Sequence, residues 1–252
     1  MPKLIILGSS NAIPDREHEN THMVVVGEKT TVLVDCVTSP ILRLERAGVN
    51  FHSLTDLILT HFHPDHVAGV PQLLMNMWLM GRKNALNIYG LHHTVDRMED
   101  LMGFYSWAEW PNFFPVAFYR LPAQELTVVL DNEEMKILAS PVHHMIPAIG
   151  LRFEFKRTQK SLAYSCDTEP CAEVVRLAQG ADVLIHESSG AFRGHSSAAQ
   201  AAEIARQAEV GALYLIHYPT GPYASGDLVA EAKARFPGPV SLAEDFMTLS
   251  FD

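Results

Sequence analysis

The stretch LILTHFHPDHVAG, residues 57–69, places three histidines and an aspartate within six positions directly after an apolar run. A solvated loop has no need for such a concentration of one residue type. His61 and His63 are two residues apart, so an extended chain turns both imidazoles to the same side, where two nitrogens can hold one divalent ion. Pro64 interrupts the extended path, and Asp65 and His66 beyond it can turn toward a second ion. Imidazole with carboxylate suits zinc, and also manganese or iron, and no thiolate is placed to build a structural site. Two such sites need about three more ligands, among them a carboxylate bridging ions roughly 3.5–4 Å apart.

The rest of the chain offers candidates at the ends of apolar runs. DLILTH ends at His61, SLAYSCD at Asp167, DVLIHE at His186 and Glu187, and LYLIH at His217. One histidine of PVHHMIPAIG, His143 or His144, completes the set. Strands that each close on a ligand-type residue point to one rim of a sheet where polar groups converge, as in open α/β sheets.

Apolar runs of strand length fall at 4–7, 23–26, 32–34, 57–59, 126–130, 136–139, 149–155, 162–164, 183–185 and 213–216. Helices are predicted at 41–47, after His66, and at 91–102, 171–179, 197–209 and 228–235. The clearest is HSSAAQAAEIARQAEVG: alanines and Ile204 recur at helical spacing, Ser197 with Gln200 makes a capping box, and Gly211 follows the end. Strands mixed with outer helices predict an α/β fold, a two-sheet core covered by helices.

Neither a linker nor a low-complexity segment interrupts residues 1–252, which read as a single domain. Apolar residues make up 48% and charged residues 19%, ample for a core. No apolar run reaches the length of a signal-peptide core or a membrane span, so the expectation is a soluble, cytoplasmic protein without membrane partners. Cys36, Cys166 and Cys171 form an odd set, expected as free thiols. The formal charge is −10 with scattered basic residues. A protein that grips many phosphates shows a basic face, so a long RNA is disfavoured as a partner.

The ordered set of motifs resembles the metallo-β-lactamase fold hydrolases, in detail their ribonuclease Z-like branch. ILGSSNAIP is similar to that branch's opening strand and loop, and HFHPDH to its H-x-H-x-D-H. HMIPAIGLRFE resembles its H-x-x-x-x-x-G segment and SCDT its G-D-T. IHESSGAF with GHSSAAQAAEIA resembles its H-E-A-T and H-S-T pair, and YLIHY its last ligand strand. The match runs in order from about residue 3 to residue 218. It implies an αββα sandwich of two mixed sheets flanked by helices, and a homodimer. It also implies one metal held by His61, His63 and His144, and a second by Asp65, His66 and His217, with Asp167 bridging. The alignment selects His144 over His143, leaving His143 as a supporting partner. A water activated between two divalent ions, most simply Zn2+, would be the nucleophile, and Asp65 could orient it and take up its proton. His195, oriented by Glu187, could donate to a leaving oxygen, beside a helix N-terminus that favours phosphate.

The sequence also departs from that branch. Enzymes of this type that mature transfer RNA carry a long Gly/Pro-rich arm, in many between the equivalents of His144 and Asp167. Only 22 residues separate those positions here. The branch's P-x-K-x-R-N loop is represented only by PDREHEN, its G-E-G-T-Q by VTSPI, and its H-S-T by HSS. An aromatic-rich insertion at about 101–121, with Trp107, Trp110, Phe113, Phe114 and Tyr119, reads either as core or dimer packing or as an apolar lid over the metals. The expected activity is phosphodiester hydrolysis in a small-molecule or nucleotide-like substrate. Hydrolysis of a lactone, carboxylic ester or sulfate ester, and a metal-loaded binding or sensor protein, are the alternatives.

Overall fold

The structure is a computed structural model that describes all residues, Met1–Asp252. Its core is two seven-stranded mixed sheets. The first contains β1 (Lys3–Gly8), β2 (His22–Val26), β3 (Thr31–Val34), β4 (Asp56–Ile58), β5 (Leu86–Leu91) and β6 (Val116–Leu121) in chain order. The second contains β7 (Thr127–Asp131), β8 (Met135–Val142), β9 (Ala148–Phe155), β10 (Lys160–Tyr164), β11 (Val183–Glu187), β12 (Ala212–Ile216) and β13 (Val240–Leu242). The last strand, β14 (Thr248–Ser250), returns to pair antiparallel with β1 and closes the first sheet.

Each sheet is antiparallel at its start and parallel at its end. In the first, β1, β2 and β3 form a meander, and β3, β4, β5 and β6 then run parallel. In the second, β7 to β10 form the meander and β10 to β13 run parallel. Parallel neighbours need crossovers, and helices supply them. The first sheet uses α1 (Pro40–Arg46), α2 (Pro64–Val67) with α3 (Val70–Leu79), and α4 (His92–Phe104). The second uses α5 (Ala172–Ala178), α6 (Ala198–Gln207) and α7 (Leu228–Lys233). The result is the αββα sandwich.

Side-chain alternation shows how the layers are held. Along β1, Leu4 and Ile6 face the opposite sheet and join a core with Ile137, Leu151 and Phe153, while Ile5 and Leu7 point outward. There they meet Leu44 of α1, Leu73 and Met77 of α3, and Met98 of α4. Strands buried on both faces read as continuous apolar runs, as LIIL does.

Four strands lie outside the sequence expectation: β5, β6, β13 and β14. The aromatic-rich segment is not a separate insertion, since its end is β6, the edge of the first sheet, and Phe114 is buried beneath it. Trp107, Trp110, Phe113 and Phe118 pack on the outer core of that sheet, and Trp110 stacks on Trp78 of α3 with centroids 4.9 Å apart. The core-packing reading holds for these rings, not the lid. All three cysteines are buried free thiols. No helix is long and apolar enough to cross a membrane. Residues 145–166, where an RNA-gripping arm would sit, hold β9, β10 and their turn.

Candidate metal centre

The loop after β4 and the short α2 that follows carry four of the seven expected ligands. His63 is extended and is the residue before the helix, and Pro64 opens it. A proline at the first helical position costs no hydrogen bond and presets the turn. Asp65 and His66 therefore swing back onto the same side as His61 and His63. The other ligands come from the second sheet: His144 from the β8–β9 loop, Asp167 after β10, and His217 after β12. The converging strand ends thus belong to a rim shared by two sheets, rather than to one sheet as the sequence indicated.

Two clusters result, one of His61, His63 and His144, the other of Asp65, His66 and His217, with Asp167 reaching both. In the first, His61 Nε2 lies 3.0 Å from His63 Nδ1, which lies 3.1 Å from His144 Nε2. Asp167 Oδ2 stands 3.9 Å from His61 Nε2, 3.5 Å from His66 Nε2 and 3.4 Å from His217 Nε2. Asp65 Oδ2 is 3.6 Å from both His66 Nε2 and His217 Nε2. A tetrahedron with bonds of about 2.0–2.1 Å has edges of about 3.3–3.4 Å, inside the range of these spacings. His66 Nε2, His217 Nε2 and Asp167 Oδ1 are buried without a hydrogen-bond partner. Buried polar atoms are rarely left unpaired, and such an orphaned set fits a pair of divalent ions.

In His61, His66, His144 and His217 the Nδ1 nitrogen is tied down, which leaves Nε2 free to ligate, whereas His63 turns Nδ1 into the cluster. His66 donates from Nδ1 to Asp35 at 2.8 Å, and Asp35 also accepts from the Thr60 amide and hydroxyl. His61 donates from Nδ1 to Thr60 Oγ1 at 3.1 Å, with Cys166 Sγ 3.5 Å away. His144 donates to the Gly194 carbonyl at 2.7 Å, and His217 to Ser189 Oγ at 2.9 Å. Burial holds His61 well below the ordinary imidazole range, as a neutral ligand requires. Burial would raise Asp167, but His217, His66 and His61 outweigh it and keep the carboxyl ionised.

His195 and Glu187 meet as the sequence implied. His195 Nδ1 is 3.1 Å from Glu187 Oε1, and one of its ring nitrogens falls in a cluster with His144 and Asp167. Glu187 is fully buried and also accepts from the amides of Thr168, Ser189 and Ser196. Burial pulls His195 down, but the Glu187 hydrogen bond and charge raise it overall. The helix N-terminus behind it is not open to a phosphate. Ser197 and Gln200 form the capping box, and Glu231 takes the Ala199 amide.

Some supporting residues were absent from the sequence reading. Asp35 follows β3 in a left-handed conformation and sits under His66, with VDC as its only sequence signal. Thr60, Ser189 and Gly194 have no local signal. His143, expected to lean on the metal site, is exposed and faces Glu173 instead. His186, a strand-end candidate in the sequence, is fully buried and so is His22, and neither falls in the two ligand clusters.

With this geometry in view, comparison with known proteins is informative. Residues 30–218 match the beta-lactamase superfamily domain, and the chain belongs to that family. Curated proteins similar to it over nearly its whole length include ribonuclease Z proteins. One from Mycobacterium sp. (strain KMS) is 30% identical across 97% of this chain and 94% of its own. The metallo-β-lactamase fold protein YhfI from Bacillus subtilis superposes with a TM-score of 0.82 at 22% identity, covering 98% of both chains. A diphosphatase from the PhnP family gives 0.76 at 19% identity, over 100% of this chain and 98% of its own. The protein is a metal-dependent hydrolase of this superfamily.

Proposed function

We propose that the protein hydrolyses a phosphodiester in a small or nucleotide-like molecule at a dinuclear, zinc-type centre. His61, His63 and His144 would hold one ion, Asp65, His66 and His217 the other, and Asp167 both. Bound there, two divalent ions bring the pKa of water toward neutrality and polarise the oxygen under attack. Asp65 is partly exposed at the rim, where its carboxylate can orient the attacking water and take its proton. As the bond to phosphorus breaks, His195 passes its proton to the departing oxygen, and Glu187 stabilises the imidazolium before that step.

The observation that carries the phosphodiester reading is His195, hydrogen-bonded to a buried glutamate and with a ring nitrogen within 4.8 Å of the shared ligand Asp167. A poor alkoxide leaving group needs such an acid. Ribonuclease Z and diphosphatase names among the relatives support the same class. One feature favours the second reading, a lactone, carboxylic ester or sulfate ester. Phe192 packs on His195 with centroids 4.8 Å apart and stays exposed, and Met145 beside Gly194 is exposed too, giving the mouth an apolar side.

The test is hydrolysis of bis(p-nitrophenyl) phosphate by zinc- and manganese-loaded protein, with His66→Ala as the control. Turnover lost in the control is the expected result. No turnover by fully metallated protein removes the phosphodiester reading and sends the search to esters and lactones, and inactivity there leaves a binding role.

A further inference from the structure

We propose that His143, Cys171 and Glu173 form an outer site for a borderline-soft divalent ion such as zinc, which locks the loop carrying His144 to the loop carrying Asp167. The three share no residue with the dinuclear centre, and their donor atoms all lie within 4.8 Å of one another. His143 Nε2 is 3.5 Å from Glu173 Oε2, near the edge of a tetrahedral zinc polyhedron. Glu173 Oε1 accepts from Arg176 at 3.0 Å, which fixes the carboxylate and leaves Oε2 for the ion. Cys171 is buried just before α5, with Sγ 3.7 Å from Thr168 Oγ1. Sulfur, imidazole and carboxylate together are a zinc-type donor set. The exposed His143 gives an entry path and room for a water as fourth ligand.

The backbone is already arranged for the purpose. The His143 amide donates to Thr168 Oγ1 at 3.1 Å, and the Glu169 amide donates to the His143 carbonyl at 2.8 Å. Both strands of this clip lead to the main site. Glu169 Oε1 accepts from the Gly194 amide, and the Gly194 carbonyl in turn holds His144 Nδ1. An ion that fixes residue 143 against residues 171 and 173 thereby stiffens the support of His144 and of the neighbouring His195. The bland alternative is an exposed histidine–glutamate pair beside a cysteine that only fills space.

Cobalt loading separates the two. The dinuclear ligands are all nitrogen and oxygen, so thiolate-to-cobalt charge-transfer absorption reports a cysteine ligand. Wild-type protein is expected to bind about three ions per chain and to show that band. Cys171→Ser should lose the band and one ion while keeping two, and serine is a favoured residue at a helix start, so folding is preserved. His143→Ala, at an exposed position, should weaken the third ion by about 100-fold without touching the first two. In wild-type protein but not in Cys171→Ser, the third equivalent should slow amide exchange at residues 143–146, the last before Pro147. Two ions with no charge-transfer band, or a band that survives Cys171→Ser, overturns the site. A third ion without slower exchange overturns the locking role.

Discussion

Asp167 is the residue on which both clusters depend, because one carboxylate oxygen lies within 3.9 Å of ligands from each. Asp167→Ala is expected to lose metal and activity together, measured by metal analysis and turnover on the same sample. A variant that binds as many ions as the wild type would deny the bridging role. His195→Ala should keep both ions and lose about 10²- to 10⁴-fold in kcat on substrates with poor leaving groups. Normal turnover would mean that another group protonates the leaving oxygen. Asp35 acts one step further out. Asp35→Ala removes the acceptor that orients His66 and is expected to weaken metal affinity about 10- to 100-fold, read by competition with a chromogenic chelator. The ligands were legible in the sequence because each closes an apolar run or sits in a spaced motif. Asp35, Thr60, Ser189 and Gly194 were not, since what matters about them is which ring nitrogen they meet across the fold.

At the scale of elements, boundaries were readable where burial was strongest. Strands buried on both faces, such as β1, β3 and β10, show as apolar runs, and α6 carries its own capping box. The strands that escaped notice have weaker marks. β13 and β14 are three-residue segments with exposed positions. β5 runs straight into α4 without a turn residue between them, and β6 is masked by the aromatics around it. That last case changes an expectation. Removing residues 104–121 deletes the β6 edge and the Trp78–Trp110 stack, so the outcome should be loss of cooperative unfolding in urea rather than a shift in substrate preference. A truncated protein that folds and changes only its substrate range would restore the lid reading. Trp110→Ala alone should cost about 1 kcal/mol of stability from the lost ring pair.

The whole molecule repeats itself in a way the sequence does not display. Each sheet passes from a meander into three parallel pairs, and Asp35 after β3 occupies in the first sheet the place Asp167 occupies after β10 in the second. Two similar halves placed face to face bring their strand ends to one rim, which is how residues from 61 to 217 meet. Met75 and Leu79 of α3, Met80 just after it, and Phe104 and Tyr105 at the end of α4 stay exposed. Close packing of both layers also governs the response to acid. Burial pushes His22 down to about 3 and His186 down to about 4, against about 6.5 in an unfolded chain. Below pH about 6.5 the unfolded chain therefore takes up protons that the folded protein refuses, and protonation favours unfolding. The stability these two side chains contribute is complete above that pH and is lost as pH falls toward their folded values, at roughly 3 kcal/mol for His186 by pH about 4. Urea midpoints of metal-stripped protein between pH 7.5 and 4.5 should fall more steeply for wild type than for His186→Gln or His22→Gln. Metal stripping matters, because acid also releases ions from the ligand histidines and would add a slope common to all three proteins. Parallel slopes would show that both histidines are protonated within the folded core.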